Sequence, residues 1–169
     1  MLSERIKSAI DFAIEKHQGQ VDKAGKPYFG HVLRVALSVA SRQDIPDDDD
    51  YFISAILHDV VEDAKVSLAE IEERWGKVVA DAVDSVSRQI KHKRKESYMQ
   101  LIERAGQNEI GIVVKMADLE DNSNPERIAS LPPDNRDIVK RYDRAKKYLL
   151  EVIRVKEEQK VAMSIDGGA

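Results

Sequence analysis

Apolar residues recur at helical spacing along almost the whole chain. Ile6, Ala9, Ile10, Ala13 and Ile14 form a first stripe that runs on to His17, where GQVDKAGKPY breaks it with Gly and Pro. A second stripe, Val32, Val35, Ala36, Val39 and Ala40, starts at His31 and ends near QDIPDDDD, whose Pro and acidic run suit a solvated loop capping the next helix. A third helix is predicted over residues 51–64. Ser67 and Glu70 then have capping-box spacing at the head of SLAEIEERWG, with Gly76 as the stop. Val78, Val79, Ala82, Val83 and Val86 mark a fifth helix that leads into the basic connection SRQIKHKRKES. Shorter stripes follow at Met99, Ile102 and Ala105 and at Ile110, Val113, Val114 and Ala117. Pro132 and Pro133 punctuate the chain, and a last long helix carries Ile138, Tyr142, Ala145, Leu149, Val152 and Ile153. There is no strand alternation, repeat or linker. The pattern predicts one all-α domain over residues 1–156, a bundle of about eight or more helices, with residues 157–169 as a frayed tail.

Composition narrows the chemistry. The 169 residues, 42% hydrophobic, suffice for one core and are too few for two comfortable domains. With no cysteine, a metal can be held only by His, Asp, Glu or backbone oxygens. No apolar run reaches the roughly 18–20 residues a bilayer needs, and MLSERIKSAI lacks the form of a signal peptide, so a cytoplasmic protein without a membrane partner is expected. The net charge of −4 argues against binding to long nucleic acid, while leaving room for a small anionic ligand in a local basic pocket. The apolar helices allow a homodimer, with no face that identifies one.

AILHDVVEDA, residues 55–64, sets four titratable groups among aliphatic ones. At about 100° per residue, His58, Glu62, Asp59 and Asp63 share one arc of a helix, with Leu57, Val60 and Val61 on the rest of its surface. A solvated acidic face is the bland reading of such an arc. Against it, no Lys or Arg lies four residues away to pair the carboxylates, and a cation would relieve their repulsion. Two further residues stand where apolar stripes predict burial: His31 at the head of the second helix and Asp118 four residues beyond Val114. Each alone fits a hydrogen-bonded structural residue. Together, two imidazoles and two carboxylates make a mixed nitrogen and oxygen site suited to Mn, Fe, Zn or Ni.

The segments HQGQVDKAGKPYFGH at 17–31, AILHDVVEDA at 55–64 and VKMADLEDN at 114–122 resemble the HD-superfamily phosphohydrolases, specifically the stand-alone hydrolases of the RelA/SpoT alarmone branch. The resemblance covers most of the chain. It implies Mn²⁺ held by His31, His58, Asp59 and Asp118, with Glu62, Asp63 and Asn122 as catalytic residues. The implied reaction releases pyrophosphate from the 3′ oxygen of guanosine 3′-diphosphate 5′-(di/tri)phosphate, with Glu62 and Asp63 orienting or deprotonating the attacking water. An adenosine alarmone, NADPH or another nucleotide phosphate would suit the same chemistry, as would a weakly catalytic nucleotide sensor.

Two positions depart from the family pattern. Where members commonly have Arg-Lys this chain has Asp22-Lys23, and the usual LHNMR ending reads EDNSN, which keeps Asn122 and puts Asn124 in place of Arg. Lys23, Lys91, Lys93, Arg94 and Arg141 are the cations that could compensate, and Tyr142 falls near a position the family uses beside the nucleotide. Lys23, Lys91, Arg141 and Tyr142 are therefore the expected substrate-binding residues.

Overall fold

Ser3 opens the first helix, α1 (Glu4–Lys16), by accepting from the Ile6 amide, and the helix buries Ile6, Ala9, Phe12 and Ala13. The structure is a computed structural model that describes residues 2–91, 94–131 and 138–166. Next come α2 (Phe29–Ala40), α3 (Asp49–Ile56), α4 (Val60–Ala64), α5 (Leu68–Trp75) and α6 (Lys77–Val86). A two-stranded antiparallel hairpin, β1 (Ile90–Lys91) and β2 (Arg94–Lys95), precedes α7 (Tyr98–Gln107), α8 (Glu109–Asn122), α9 (Pro125–Ala129) and α10 (Ile138–Asp166). The all-α bundle is thus observed, with ten helices among the described residues. The hairpin lies within the basic connection, where no strand was expected. Its alternation is too short to register in the sequence.

Helix α8 is the axis of the bundle, packing against α2, α3, α6, α7 and α10. Every residue from Ile110 to Leu119 is buried. Each aliphatic side chain fully withdrawn there contributes about 1.5–3 kcal/mol, whereas Lys115 and Asp118, buried in the same helix, must find partners. Where α8 crosses α6, Gly111 meets Ser85 so closely that a β-carbon would stand 2.0 Å from the Ser85 hydroxyl oxygen. No larger residue fits without moving one of the two helices.

The continuous helix expected over 51–64 is two helices. α3 ends at Ile56, residues 57–59 turn, and α4 begins at Val60. The break follows from side-chain competition for the backbone: His58 Nδ1 lies 2.8 Å from the Ala55 carbonyl oxygen, and the Val60 amide reaches back only to Leu57. α4 closes through Lys65 in the left-handed region, φ 57°, with the Val66 amide donating to the Val60 carbonyl in the manner of a Schellman cap. Elsewhere the expected caps hold. Ser67 accepts from the Glu70 amide and Gly76 ends α5 at φ 93°, while Ser97 with Gln100 adds a reciprocal capping box on α7 that the sequence reading did not include. Pro132 and Pro133 lie outside the described residues. α10 runs on past residue 156 to Asp166, so the secondary structure has no break at the expected domain boundary.

Candidate metal centre and adjoining cavity

Three elements bring the ligand candidates together: the first turn of α2, the turn between α3 and α4, and the C-terminal half of α8. His31, His58 and Asp118 are buried, and one ligand atom from each lies within 4.8 Å of the others. His31 Nε2 is 3.4 Å from Asp118 Oδ1, and His58 Nε2 is 3.9 Å from the same oxygen. Asp59 joins them, its Oδ2 being 2.9 Å from His58 Nε2 and 3.6 Å from His31 Nε2. All four residues expected to ligate therefore converge on one point.

Each imidazole is oriented by its far nitrogen. His58 Nδ1 is bonded to the Ala55 carbonyl, and His31 Nδ1 lies 2.7 Å from Asp121 Oδ2, so both rings turn Nε2 toward the cluster. His58 Nε2 is buried, and Asp59 Oδ2 lies 2.9 Å from it without forming a well-aligned hydrogen bond. A cation at the cluster would give this nitrogen and the Asp59 and Asp118 carboxylates a common partner. The donor set, two imidazole nitrogens and two carboxylates, suits a divalent transition metal.

The electrostatics agree with that use. Burial works against a charged His31, but hydrogen bonds to Asp118, Asp121 and Asp59 outweigh it and push its pKa up to about 11. Burial likewise favours a neutral Asp118, yet Lys115, His31 and His58 hold its carboxyl below the usual range, and His58 and His31 do the same to Asp59. A cation is held by neutral imidazole and ionised carboxylate, so its binding at this cluster is coupled to pH.

Lys115, Asp121, Arg34, Arg127 and Tyr28, which sequence reasoning missed, complete the surround together with Asn122, which it named. Lys115 Nζ donates to Asp118 Oδ2 at 2.8 Å, and Asn122 Nδ2 donates to Asp118 Oδ1 at 2.5 Å, so both carboxylate oxygens are held. Asp121 takes Arg34 Nε at 2.5 Å and Arg127 Nη1 at 2.8 Å besides His31. The Tyr28 hydroxyl donates to Asp59 Oδ2 at 2.6 Å. A buried lysine three residues before Asp118 was a readable i, i+3 pair. The Asp121–His31 pair spans 90 residues, and no local signal carries it.

The Glu-Asp pair divides. Asp63 stands next to Tyr28, Asp59 and His17, and partial desolvation together with the Asp59 charge raises its carboxyl pKa. Glu62 is exposed and accepts from the Arg88 backbone amide at 2.7 Å.

Beside the cluster a cavity of about 290 Å³ is lined by Asp22, Lys23, Tyr28, Asn122, Arg127 and Tyr142, among others. Of the expected substrate-binding residues, Lys23 and Tyr142 line this cavity. Arg141 instead lies over the Tyr98 ring, 4.5 Å from its centroid. The side chains of Lys91 and Arg94, and all of Lys93, fall outside the described residues. Both departures from the family pattern have local structural work. Asp22 Oδ1 accepts from the Ala24 and Lys26 amides and closes the 22–26 turn, and Asn124 Oδ1 accepts from the Glu126 amide and caps α9. One turn into α9, Arg127 returns a guanidinium to the cavity wall. It is anchored on Asp121 and on Asn122 Oδ1, the latter at 3.2 Å.

A family model described as HD domain matches residues 9–120. The guanosine-3′,5′-bis(diphosphate) 3′-pyrophosphohydrolase of Aquifex aeolicus is 39% identical over 124 residues, 71% of this chain and 17% of that protein. The bifunctional (p)ppGpp synthase/hydrolase SpoT of Escherichia coli K12 is 31% identical over 140 residues, 79% of this chain and 19% of that protein. The chain therefore spans less than a fifth of the length of these curated relatives. A solved structure of a metazoan SpoT ortholog, described as hydrolysing ppGpp and acting in starvation responses, superposes with a TM-score of 0.71 at 23% identity, over 92% of this chain and 97% of that one. At that identity the likeness is one of fold.

Proposed function

The chain belongs to the HD domain family, and we propose that it is a metal-dependent phosphohydrolase that releases pyrophosphate from the 3′ position of guanosine 3′-diphosphate 5′-(di/tri)phosphate. The observation that carries this reading is the buried His31–His58–Asp118 cluster, with Asp59 against His58 and a basic, aromatic-lined cavity alongside. The names of the curated relatives support the choice of substrate.

Manganese is the proposed cation, held by His31, His58, Asp59 and Asp118. A cation there supplies positive charge that polarises a phosphoryl oxygen and eases deprotonation of the attacking water. The protein's own groups do the rest. Lys115 and Asn122 fix both oxygens of Asp118, and Tyr28 fixes Asp59, so the ligands need no reorganisation when substrate arrives. Asp63, its pKa raised toward that of a useful base, and Glu62 orient the water and accept its proton. Lys23 and Arg127 bring positive charge to the phosphates, and Arg127 retains further N–H donors beyond those that bond Asp121 and Asn122 among the described residues. Tyr142 offers a ring face to the base. A volume of about 290 Å³ is at the low end for small-ligand sites, roughly 300–1,000 Å³, so the cavity takes the 3′ end of the nucleotide and leaves the remainder near solvent. No helix among the described residues is long and apolar enough to cross a membrane. Action on a small nucleotide in the cytoplasm belongs to the same reading.

The test is pyrophosphate release by the Mn²⁺-loaded protein from guanosine and adenosine 3′-pyrophosphates side by side. Turnover of the guanosine compounds is expected. Turnover confined to the adenosine set would move the substrate, and tight binding of either without turnover, with metal demonstrably bound, would make the protein a sensor.

A further inference from the structure

The Glu62 carboxylate reaches solvent, where a glutamate samples several rotamers. The hydrogen bond that holds it comes from the Arg88 backbone amide, in the connection between α6 and α7. Both chain neighbours of Arg88 are secured by one ion pair. Arg104, on α7, donates through Nη2 to the Ser87 carbonyl at 2.6 Å and to Glu96 Oε2 at 2.8 Å, through Nε to Glu96 Oε1 at 3.1 Å, and through Nη1 to the Asp84 carbonyl. From the other side the Gln89 amide donates to Glu96 Oε2 at 3.1 Å, and Arg88 Nε donates to the Glu96 carbonyl at 2.9 Å. The side chains of Arg104 and Glu96 are only 20% and 14% exposed, which separates them from surface pairs that contribute little. A planar guanidinium serves these divergent acceptors at once, which an ammonium cannot.

We propose that Arg104 is a positioning residue for Glu62, acting through Glu96 and the backbone of residues 87–89. The network lies apart from the metal ligands: Arg104 touches none of His31, His58, Asp59 or Asp118. Its effect reaches the chemistry by fixing where the Arg88 amide points, and hence where the Glu62 carboxylate waits. This rests on the reading of Glu62 as a residue that handles the attacking water.

The test measures kcat and KM on guanosine 3′-diphosphate 5′-diphosphate for the Mn²⁺-loaded wild type, Arg104→Ala, Arg104→Lys, Glu62→Gln and the Glu62→Gln/Arg104→Ala double variant. Misplacing a reacting group by about 1 Å costs up to ~100-fold, so Arg104→Ala should lower kcat by ~10–100-fold, and Arg104→Lys should recover little of it. KM should stay within ~3-fold, the signature of a loss confined to the transition state. Added to Glu62→Gln, the Arg104 change should cost nothing further. Wild-type kcat in Arg104→Ala, or the full loss repeated on the Glu62→Gln background, overturns the proposal. If Arg104→Ala does not fold, Glu96→Gln replaces it with the same two outcomes. Amide hydrogen exchange on the substrate-free protein provides a readout independent of turnover. Protection of the Arg88 amide should fall in Arg104→Ala, and unchanged protection also overturns the proposal. A wild type that turns over no nucleotide, with Arg88 protection nonetheless dependent on Arg104, would defeat the substrate reading and leave the latch standing.

Discussion

His58 is buried and Asp59 half-buried in the turn between α3 and α4, while Glu62 and Asp63, one helical turn later, reach solvent. The first pair is over-determined. His58 is held by the Ala55 carbonyl and Asp59 by Tyr28, with His58 3.9 Å from Asp118 and Asp59 3.6 Å from His31. The second pair is held by contacts from elsewhere, a backbone amide for Glu62 and the neighbourhood of Tyr28 and Asp59 for Asp63. A ligand set needs fixed distances before the cation arrives, so burial and redundant hydrogen bonds suit it. Groups that hand a proton to or from water must stay wet and need only be aimed. The same ten-residue segment meets both demands because the helix breaks between them.

That contrast can be broken most severely at His58. His58→Ala removes a proposed ligand outright. Calorimetric titration should find Mn²⁺ affinity lowered by more than ~100-fold, since loss of an outer partner alone costs ~10–100-fold, and turnover should vanish with it. Glu62→Gln should separate the two pairs. Its kcat should fall by ~10²–10⁴-fold, as expected for a general base, with Mn²⁺ affinity unchanged in the same titration. If affinity falls in parallel, the division of labour drawn here is wrong.

Lys115→Met probes the buried side more gently. Removing one partner of a buried pair costs about 3 kcal/mol or more. Urea unfolding of the metal-free protein should register that loss, and saturating Mn²⁺ should recover most of it by giving Asp118 another counter-charge. The smallest effect expected is at Asp121. Burial alone would raise its pKa, but His31, Arg34 and Arg127 hold it below the usual 3.8. A depressed carboxyl contributes stability that is fully present above about pH 4 and is lost as pH falls toward its folded value. Urea midpoints of the metal-free protein between pH 6 and pH 3 should therefore decline less steeply in Asp121→Asn than in the wild type.

The helical stripes were legible because each buries one face, and His31 and Asp118 were legible as polar residues intruding on those faces. The break at residues 57–59 was not. Leu57, Val60 and Val61 satisfy helical periodicity, and only the His58 side chain's claim on the Ala55 carbonyl interrupts it. Outer partners were hidden for a different reason. Asp121 meets His31 across 90 residues and Arg34 across 87, distances at which periodicity carries no information. Asp22 and Asn124 look like losses of phosphate-binding cations, whereas in the folded chain they shape a turn and a helix cap, and Arg127 restores a guanidinium.

The contact between Gly111 and Ser85 has a consequence for the ligands themselves. Asp118 lies seven residues further along α8, about 10 Å at 1.5 Å per residue. A methyl group at position 111 would need to sit where the Ser85 hydroxyl is. The bundle would relieve that clash by sliding or tilting α8, carrying Lys115, Asp118 and Asn122 with it while α2 keeps His31 in place. The absent side chain thus works as a depth gauge for the carboxylate, and a metal site can be detuned from a position that never approaches the metal.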